Sequence, residues 1–208
     1  MTDGKRELRG LVPAEIAAVI AIAALPVPEQ VPRSLLLVVV ASLSRWARGR
    51  SWGEVARGPA QYAAIGAAAG LGALVLALLA GTPAIEALTG RGVEWSTFPV
   101  VRGSAAQLAI VMLYLAAAGI AAELALRGWI VERVLELRGG TVIAILVGGF
   151  AEAVCVDGDL AARIGAGAFG AGLGWMYVAA GRSVVAPACA RLAFQLGAVL
   201  LEAQRIIG

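Results

Sequence analysis

Two ionisable side chains, Glu123 and Arg127, follow a long uncharged stretch of the chain. The segment from Gly103 to Ala122 carries no charge, and a carboxylate and a guanidinium then appear four residues apart. On a helix this spacing places both on one face, with the acid N-terminal to the base, which is the more favourable order for a pair. Ionisable groups inside a membrane are costly and usually functional. The pair is therefore a candidate proton acceptor or a candidate buried ion pair.

The chain contains no histidine, so any hydrolysis would have to proceed without the commonest general base and metal ligand. Its two cysteines, Cys155 and Cys189, lie in apolar stretches and are too few for a tetrahedral zinc site. We expect no metal and no cofactor, and we interpret both cysteines as small buried residues.

Composition is typical of a helical membrane protein. Of the 208 residues, 60% are hydrophobic and only 15% are charged, a balance that does not suit a water-soluble domain. Several apolar segments approach the ~20 residues that a helix needs to cross a bilayer. The net charge of +3 comes from arginines in loops and does not indicate nucleic-acid binding. We predict an all-α polytopic membrane protein, with residues 1–208 forming one integral membrane domain in the lipid bilayer.

About seven transmembrane helices are predicted, and they must position the candidate residues. Glu123 and Arg127 lie in the fourth. The longest connection, from Gly81 to Gly103, contains Trp95 and Phe98, which suit an interfacial segment. The predicted spans are Leu11–Leu25, Ser34–Trp46, a span within Gln61–Ala80, Ser104–Arg133, Thr141–Val156, Ile164–Ala180 and Ser183–Leu201.

Arginine distribution predicts the orientation of the chain. Arg45, Arg48, Arg50 and Arg57 lie between spans two and three, and further basic residues precede span one. Both regions fall on one side if the first two spans form a hairpin, and an excess of arginine marks the cytoplasmic side. We expect a multi-pass protein of the inner (cytoplasmic) membrane with a cytoplasmic N-terminus.

The first span also fits a secretory signal peptide, because basic residues precede a short apolar stretch. Glu15 within the stretch favours a span that anchors itself to another helix. Two pairs of glycines, Gly66 with Gly70 and Gly170 with Gly174, have the spacing that allows helices to approach closely. We interpret them as packing sites within one bundle rather than as a dimerisation surface.

Three motifs, in order, resemble those of the CPBP family of intramembrane proteases, which includes CAAX prenyl endopeptidases and bacteriocin-processing or immunity proteins. The first family motif, Glu-Glu-x-x-x-Arg, corresponds to Ala122–Arg127. The second, Phe-x-x-x-His, corresponds to Phe150–Val154, and the third, His-x-x-x-Asn, to Arg191–Gln195. The resemblance covers residues 45–201 and implies a CPBP-like helical bundle with a hydrolytic site inside the membrane.

In that family the first glutamate and the histidines activate a water, and the asparagine position helps to stabilise the oxyanion. Here those proton-handling positions hold Ala122, Val154 and Arg191, none of which can act as a base near neutral pH. The resemblance therefore implies a changed mechanism or none. The remaining candidates for catalysis, vestigial or active, are Glu123, Arg127 and Gln195.

Two other acidic segments near the motifs are candidates to replace the missing groups. Glu152 lies ~200° around the helix from both Phe150 and Val154, so we expect it to point away from the face that the motif presents. Asp157-Gly-Asp159 predicts a turn in which Asp159 caps the next helix.

Glu123 remains as a lone base, but the positive charges of Arg127 and Arg191 oppose that role. We therefore predict a structural ion-pair cluster of Glu123, Arg127 and Arg191. In this cluster Glu123 and Arg191 are bridged directly or through one water, and Gln195 hydrogen-bonds nearby.

Two functions follow from the resemblance. The favoured hypothesis is a catalytically degenerate member of the protease fold that binds a membrane peptide or a partner protein, as a scaffold or an immunity-type protein. The alternative is an active intramembrane endopeptidase that uses Glu123 on CAAX-like or membrane-embedded substrates. A transporter, and a complex in which a partner subunit supplies the missing groups, also remain open. The sequence does not indicate an oligomeric state.

Overall fold

The computed structural model describes residues 12–24, 33–90, 101, 103–137, 140–156 and 158–204. In these ranges the chain is helical and contains no strand, so the prediction of an all-α fold with about seven helices is confirmed. The helices are α1 (Val12–Ala24), α2 (Arg33–Ala47), α3 (Ala60–Leu88), α4 (Ala105–Glu136), α5 (Gly140–Cys155), α6 (Leu160–Ala179) and α7 (Val185–Ala203).

Three of the described helices, α3, α4 and α7, are long and apolar enough to cross a membrane, and α5 is a shorter apolar helix. Many of their large apolar side chains lie on the surface, such as Leu79 of α3 and Leu113 of α4. In water such a surface would be unfavourable, whereas in lipid it is the expected exterior. These features indicate a helical membrane protein, as the composition predicts.

Two of the long helices contain a π-helical stretch, Ala77–Gly81 in α3 and Leu126–Val131 in α4. The stretch in α3 continues into Thr82–Thr89, so the third helix is longer than predicted and the first part of the expected connection is helical. Gly90 then ends the helix in a left-handed conformation, which glycine adopts without steric cost. Trp95 and Phe98 lie outside the described residues.

Asp159 caps α6, as predicted. Its side chain accepts a hydrogen bond from the backbone N–H of Ala162 at 2.9 Å, which satisfies one of the unpaired donors in the first turn. The helix therefore begins at Leu160, four residues before the predicted start of the span at Ile164. Asp157 lies outside the described residues.

The chain divides into two compact units. Unit 1 contains residues 1–57 and 121–184, and unit 2 contains residues 58–120 and 185–208. The core of unit 1 joins α1, α2, α4 and α5 through Val19, Leu37, Trp129 and Ala151. The start of α1 lies beside the end of α2, since Glu15 contacts Arg48 at 2.7 Å. This contact fits the hairpin of the first two spans on which the predicted orientation depends.

In unit 2, α3 packs against α7 through glycines. A Cβ atom placed on Gly66 would overlap the backbone of Ala186, and one on Gly70 would overlap the backbone of Ala190. The spacing of the two glycines thus brings two helices together within the bundle. This is the packing role predicted for them.

Candidate functional site

Arg127 lies at the centre of a buried polar cluster in unit 1. Its side chain is 0% exposed, and the residue lies in the π-helical stretch of α4. Nη1 donates hydrogen bonds to Glu123 Oε1 at 3.2 Å and to Glu152 Oε2 at 2.7 Å. Nη2 donates to the backbone carbonyl of Gly170 at 2.6 Å. One guanidinium therefore joins α4, α5 and α6, and we call Glu123, Arg127 and Glu152 the arginine triad.

The geometry of the triad matches the chemistry of arginine. A planar guanidinium presents several donors in a fixed fork, which suits carboxylate and carbonyl acceptors around it. Burying these charges is expensive, and the cost is offset only when the partners are close and hydrogen-bonded. Losing Arg127 would leave two carboxylates uncompensated in an apolar interior. The arrangement is therefore well suited to fix the three helices in register.

Gly170 makes the triad possible because it has no side chain. A Cβ atom at this position would lie 2.7 Å from Cβ of Glu152 and 3.1 Å from Nη2 of Arg127. Both distances are shorter than ordinary van der Waals contact. The small residue thus allows α6 to approach α4 and α5 closely enough for its carbonyl to accept from Arg127.

Glu152 points away from the face of α5 that carries Phe150, as expected, but it is Glu152 rather than Phe150 that lies in the buried cluster. Glu152 is 6% exposed and hydrogen-bonds to Arg127, whereas Phe150 is 60% exposed. The face of α5 that carries Glu152 is therefore the buried one. Phe150 is apolar and can face lipid at little cost, while a carboxylate cannot, so the helix turns Glu152 inward.

The contact between Glu123 and Arg127 agrees with the i, i+4 spacing seen in the sequence, and it forms part of the predicted ion-pair cluster. Ala122, at the position of the family's first glutamate, is buried beside them. Val154, at the position of the second motif's histidine, is partly buried on α5. Neither side chain can accept a proton or bind a water.

The third motif lies in unit 2, where Arg191 is buried and Gln195 is partly buried on α7. Both lie against Gly119 of α4, since a Cβ atom there would be 2.9 Å from Gln195 Oε1 and 3.3 Å from Arg191 Cδ. Gln195 Oε1 is buried and accepts no hydrogen bond from the described residues. The predicted bridge between Glu123 and Arg191 joins the two units and stays a prediction, as does the role of Gln195.

Glu15 acquires the partner that the sequence could not identify. Its carboxylate accepts hydrogen bonds from Arg48 Nη2 at 2.7 Å and from Ser44 Oγ at 3.0 Å. Arg133 of α4 lies 3.8 Å away and also pairs with Glu136. The prediction that Glu15 anchors the first helix against another helix is confirmed.

Arg45 is a buried residue that the sequence interpretation placed among loop charges. It is 3% exposed, its Nη1 donates to the carbonyl of Gly128 at 3.0 Å, and its guanidinium lies 4.7 Å above the centre of the Trp52 ring. Gly128 directly follows Arg127, so Arg45 supports the same stretch of α4. The nearby tryptophan was the available signal, because arginine stacks on aromatic rings.

A second buried hydrogen bond joins α4 to α6 in unit 1. The hydroxyl of Tyr177 donates to Glu132 Oε1 at 2.8 Å, and Arg182 lies 3.8 Å from the same oxygen. Tyr177 is fully buried within an apolar cluster. Nothing in the sequence pointed to this pair, because the two residues are 45 positions apart.

Residues 104–197 match the family model of the Rce1-like type II CAAX prenyl endopeptidases. This range contains all three motifs on which the resemblance rests, so the recognition is confirmed, although the match is narrower than residues 45–201. No curated protein and no solved structure matches the chain significantly. In the described residues, no group of three His, Cys, Asp or Glu side chains is placed to hold a metal ion.

Proposed function

We propose that the chain, in which residues 104–197 match the family model of the Rce1-like type II CAAX prenyl endopeptidases, is a catalytically degenerate member of this protease fold. It binds a membrane peptide or a partner protein without cleaving it, as a scaffold or an immunity-type protein does. It acts as a multi-pass protein of the inner (cytoplasmic) membrane, with its N-terminus on the cytoplasmic side.

The arginine triad is the observation that supports this proposal most directly. Hydrolysis needs a base that holds the attacking water and donors that face the developing negative charge. Both carboxylates near the motifs, Glu123 and Glu152, instead contact the buried guanidinium of Arg127. Both carboxylates serve as partners of Arg127, and the fold uses them to join helices.

The residues at the motif positions support the same conclusion. The water-activating groups of the family are replaced by a methyl group at Ala122, an isopropyl group at Val154 and a permanently charged guanidinium at Arg191. With no histidine in the chain, a neighbouring residue cannot supply the missing imidazole. The membrane fold is thus retained while the hydrolytic groups are absent, which favours binding over cleavage.

Cleavage and binding can be measured separately in proteoliposomes that contain the full chain. The substrates are a prenylated CAAX peptide and a set of membrane-spanning peptides, each with a photo-crosslinking group, and products are identified by mass spectrometry. A positive control restores the family groups through Ala122→Glu, Val154→His, Arg191→His and Gln195→Asn. We expect crosslinking by the wild-type chain without new termini.

One result would overturn the proposal, and a second would restrict it to a protein partner. New termini that appear with the wild-type chain and disappear with Glu123→Gln would establish the alternative, an active endopeptidase that uses Glu123. Absence of crosslinking to every peptide, in a chain that melts cooperatively, would contradict peptide binding and leave a protein partner as the ligand to be sought by pull-down with the full chain.

The orientation has its own test. Ala56 is exposed in the turn after α2, where arginines concentrate. In a chain without other cysteines, Ala56→Cys should react with an impermeant maleimide only after the cell membrane is permeabilised. Labelling in intact spheroplasts would place this turn, and with it the N-terminus, outside.

A further inference from the structure

Three exposed arginines lie at one end of unit 1, away from the arginine triad. Arg50 follows α2 and its side chain is 46% exposed, Arg57 is exposed at the end of the next turn, and Arg182 is 57% exposed in the turn after α6. The backbone N–H of Val184 donates to the carbonyl of Val55 at 2.9 Å, which joins the two turns. We call Arg50, Arg57 and Arg182 the arginine rim.

Positive charge exceeds negative charge around this rim. In the described part of unit 1, the ion pairs at this end use the carboxylates of Glu15, Glu54, Glu132 and Glu136. Against these four glutamates stand six arginines, Arg45, Arg48, Arg50, Arg57, Arg133 and Arg182. Exposed Arg50 contacts Glu136 at 3.2 Å and exposed Arg182 lies 3.8 Å from Glu132. Nε of Arg57, in contrast, donates to the neutral carbonyl of Gly53 at 2.6 Å. The unbalanced positive charge at this end therefore includes that of Arg57, which lies on the exposed edge.

Two exposed tryptophans show where this edge lies relative to lipid. Trp46, in the last turn of α2, is 80% exposed, and Trp175, near the end of α6, is 65% exposed. Tryptophan on the outside of a membrane protein is enriched at the boundary between the hydrocarbon and the headgroups. Arg50 follows Trp46, and Arg182 follows Trp175, by a few residues, which is the order expected for guanidinium groups at the depth of the lipid phosphates.

We propose that the arginine rim binds the headgroups of anionic phospholipids. A guanidinium forms paired hydrogen bonds with phosphate oxygens, and arginines at the membrane surface are attracted to anionic lipids. The excess positive charge would not attract a neutral lipid surface, and a soluble anion would not contact the two tryptophans. This surface is independent of the proposed peptide binding and extends the function to lipid selectivity.

The experiment uses the full chain reconstituted in phosphatidylcholine vesicles. A rising fraction of the lipid is replaced by phosphatidylglycerol with brominated acyl chains, which quench tryptophan on contact. Brominated phosphatidylcholine gives the reference, and the ratio of the two association constants measures selectivity. We expect the wild-type chain to prefer phosphatidylglycerol, and the preference to weaken as salt is raised because salt screens exposed charges.

The variants test the named residues. Arg57→Gln with Arg182→Gln should abolish most of the preference, and Arg57→Gln alone, which removes no ion pair, should abolish part of it. The matched control is Arg163→Gln, since Arg163 is exposed at the opposite end of α6 and its Nε also donates to a backbone carbonyl, that of Gly158 at 3.3 Å.

The proposal is overturned if the wild-type chain shows no preference, if Arg57→Gln and the double variant both keep it, or if Arg163→Gln loses as much. Inorganic phosphate added in solution distinguishes a general phosphate site from a headgroup site. Millimolar phosphate that removes the preference at constant ionic strength would contradict the headgroup assignment.

Discussion

Arg127 Nη1 lies 2.7 Å from a carboxylate oxygen of Glu152, although the two residues are 25 positions apart in the chain. The same nitrogen contacts Glu123 on its own helix at 3.2 Å. The contact with Glu152 converts a local i, i+4 pair into a link between helices. Glu152, which lies on the helix of the second motif, therefore takes part in a structural interaction.

The members of the triad should differ in their effect on stability. Arg127→Leu leaves two carboxylates buried without their cation and should lower the free energy of unfolding by about 3–5 kcal/mol. Glu152→Leu leaves the neutral Glu123–Arg127 pair and should cost less. Thermal unfolding in detergent provides the measurement, and Arg163→Leu, on the exposed end of α6, is the control. An effect of Glu152→Leu larger than that of Arg127→Leu would be inconsistent with this order.

Gly170 should not tolerate a methyl group. Gly170→Ala forces a new Cβ against Glu152 and Arg127, and overpacking of this kind costs about 1–3 kcal/mol. Gly172→Ala, on the same helix, meets open space within 4 Å and should raise helix propensity instead. We expect Gly170→Ala to lower the melting temperature and Gly172→Ala to raise it. Equal melting temperatures would count against the close approach of α6 to α4 and α5.

A similar pair of variants tests the packing of unit 2. Gly70→Ala places a Cβ atom into the backbone of Ala190, which cannot move aside as a flexible side chain does. The helices α3 and α7 must then separate and lose contact. Gly72→Ala has no neighbour within 4 Å and serves as the control. We expect reduced unfolding temperature and increased protease sensitivity for Gly70→Ala alone.

Arg45 should be sensitive even to a substitution that keeps its charge. Arg45→Lys loses the planar fork that donates to Gly128 and stacks on Trp52, and it should destabilise the chain by about 1–3 kcal/mol. Arg50→Lys, at a side chain that is 46% exposed, should have little effect because exposed pairs contribute little. Equal sensitivity of the two positions would argue against a buried role for Arg45.

The sequence predicts those features that depend on local rules. The hydrophobic segments predict the seven helices, the Asp-Gly-Asp turn predicts the cap at Asp159, and the Glu123–Arg127 spacing predicts their contact. The carboxylate of Glu15 inside an apolar helix also predicts that it needs a partner. In each case the physical requirement is expressed within a few residues of the chain.

The features that the sequence does not reveal depend on which faces meet. Helical periodicity gives the angle between Phe150 and Glu152 but not which of the two is buried. Arg45 has the same residue type as its exposed neighbours, and only the position of Trp52 and α4 in space distinguishes it. Tyr177 and Glu132 meet because α4 and α6 pack together, which no local pattern encodes.

The central claim is that the carboxylates beside Arg127 hold the helices together, and a double-mutant cycle tests it most directly. The unfolding free energies of wild type, Arg127→Leu, Glu152→Leu and the double variant give the coupling between the two residues. We predict a coupling of about 2 kcal/mol or more, since Glu152→Leu removes a favourable ion pair from the wild-type chain but removes an uncompensated buried carboxylate from Arg127→Leu. A coupling below about 0.5 kcal/mol lies within the range of independent sites. That result would contradict a structural triad and would favour a catalytic role for Glu123 and Glu152.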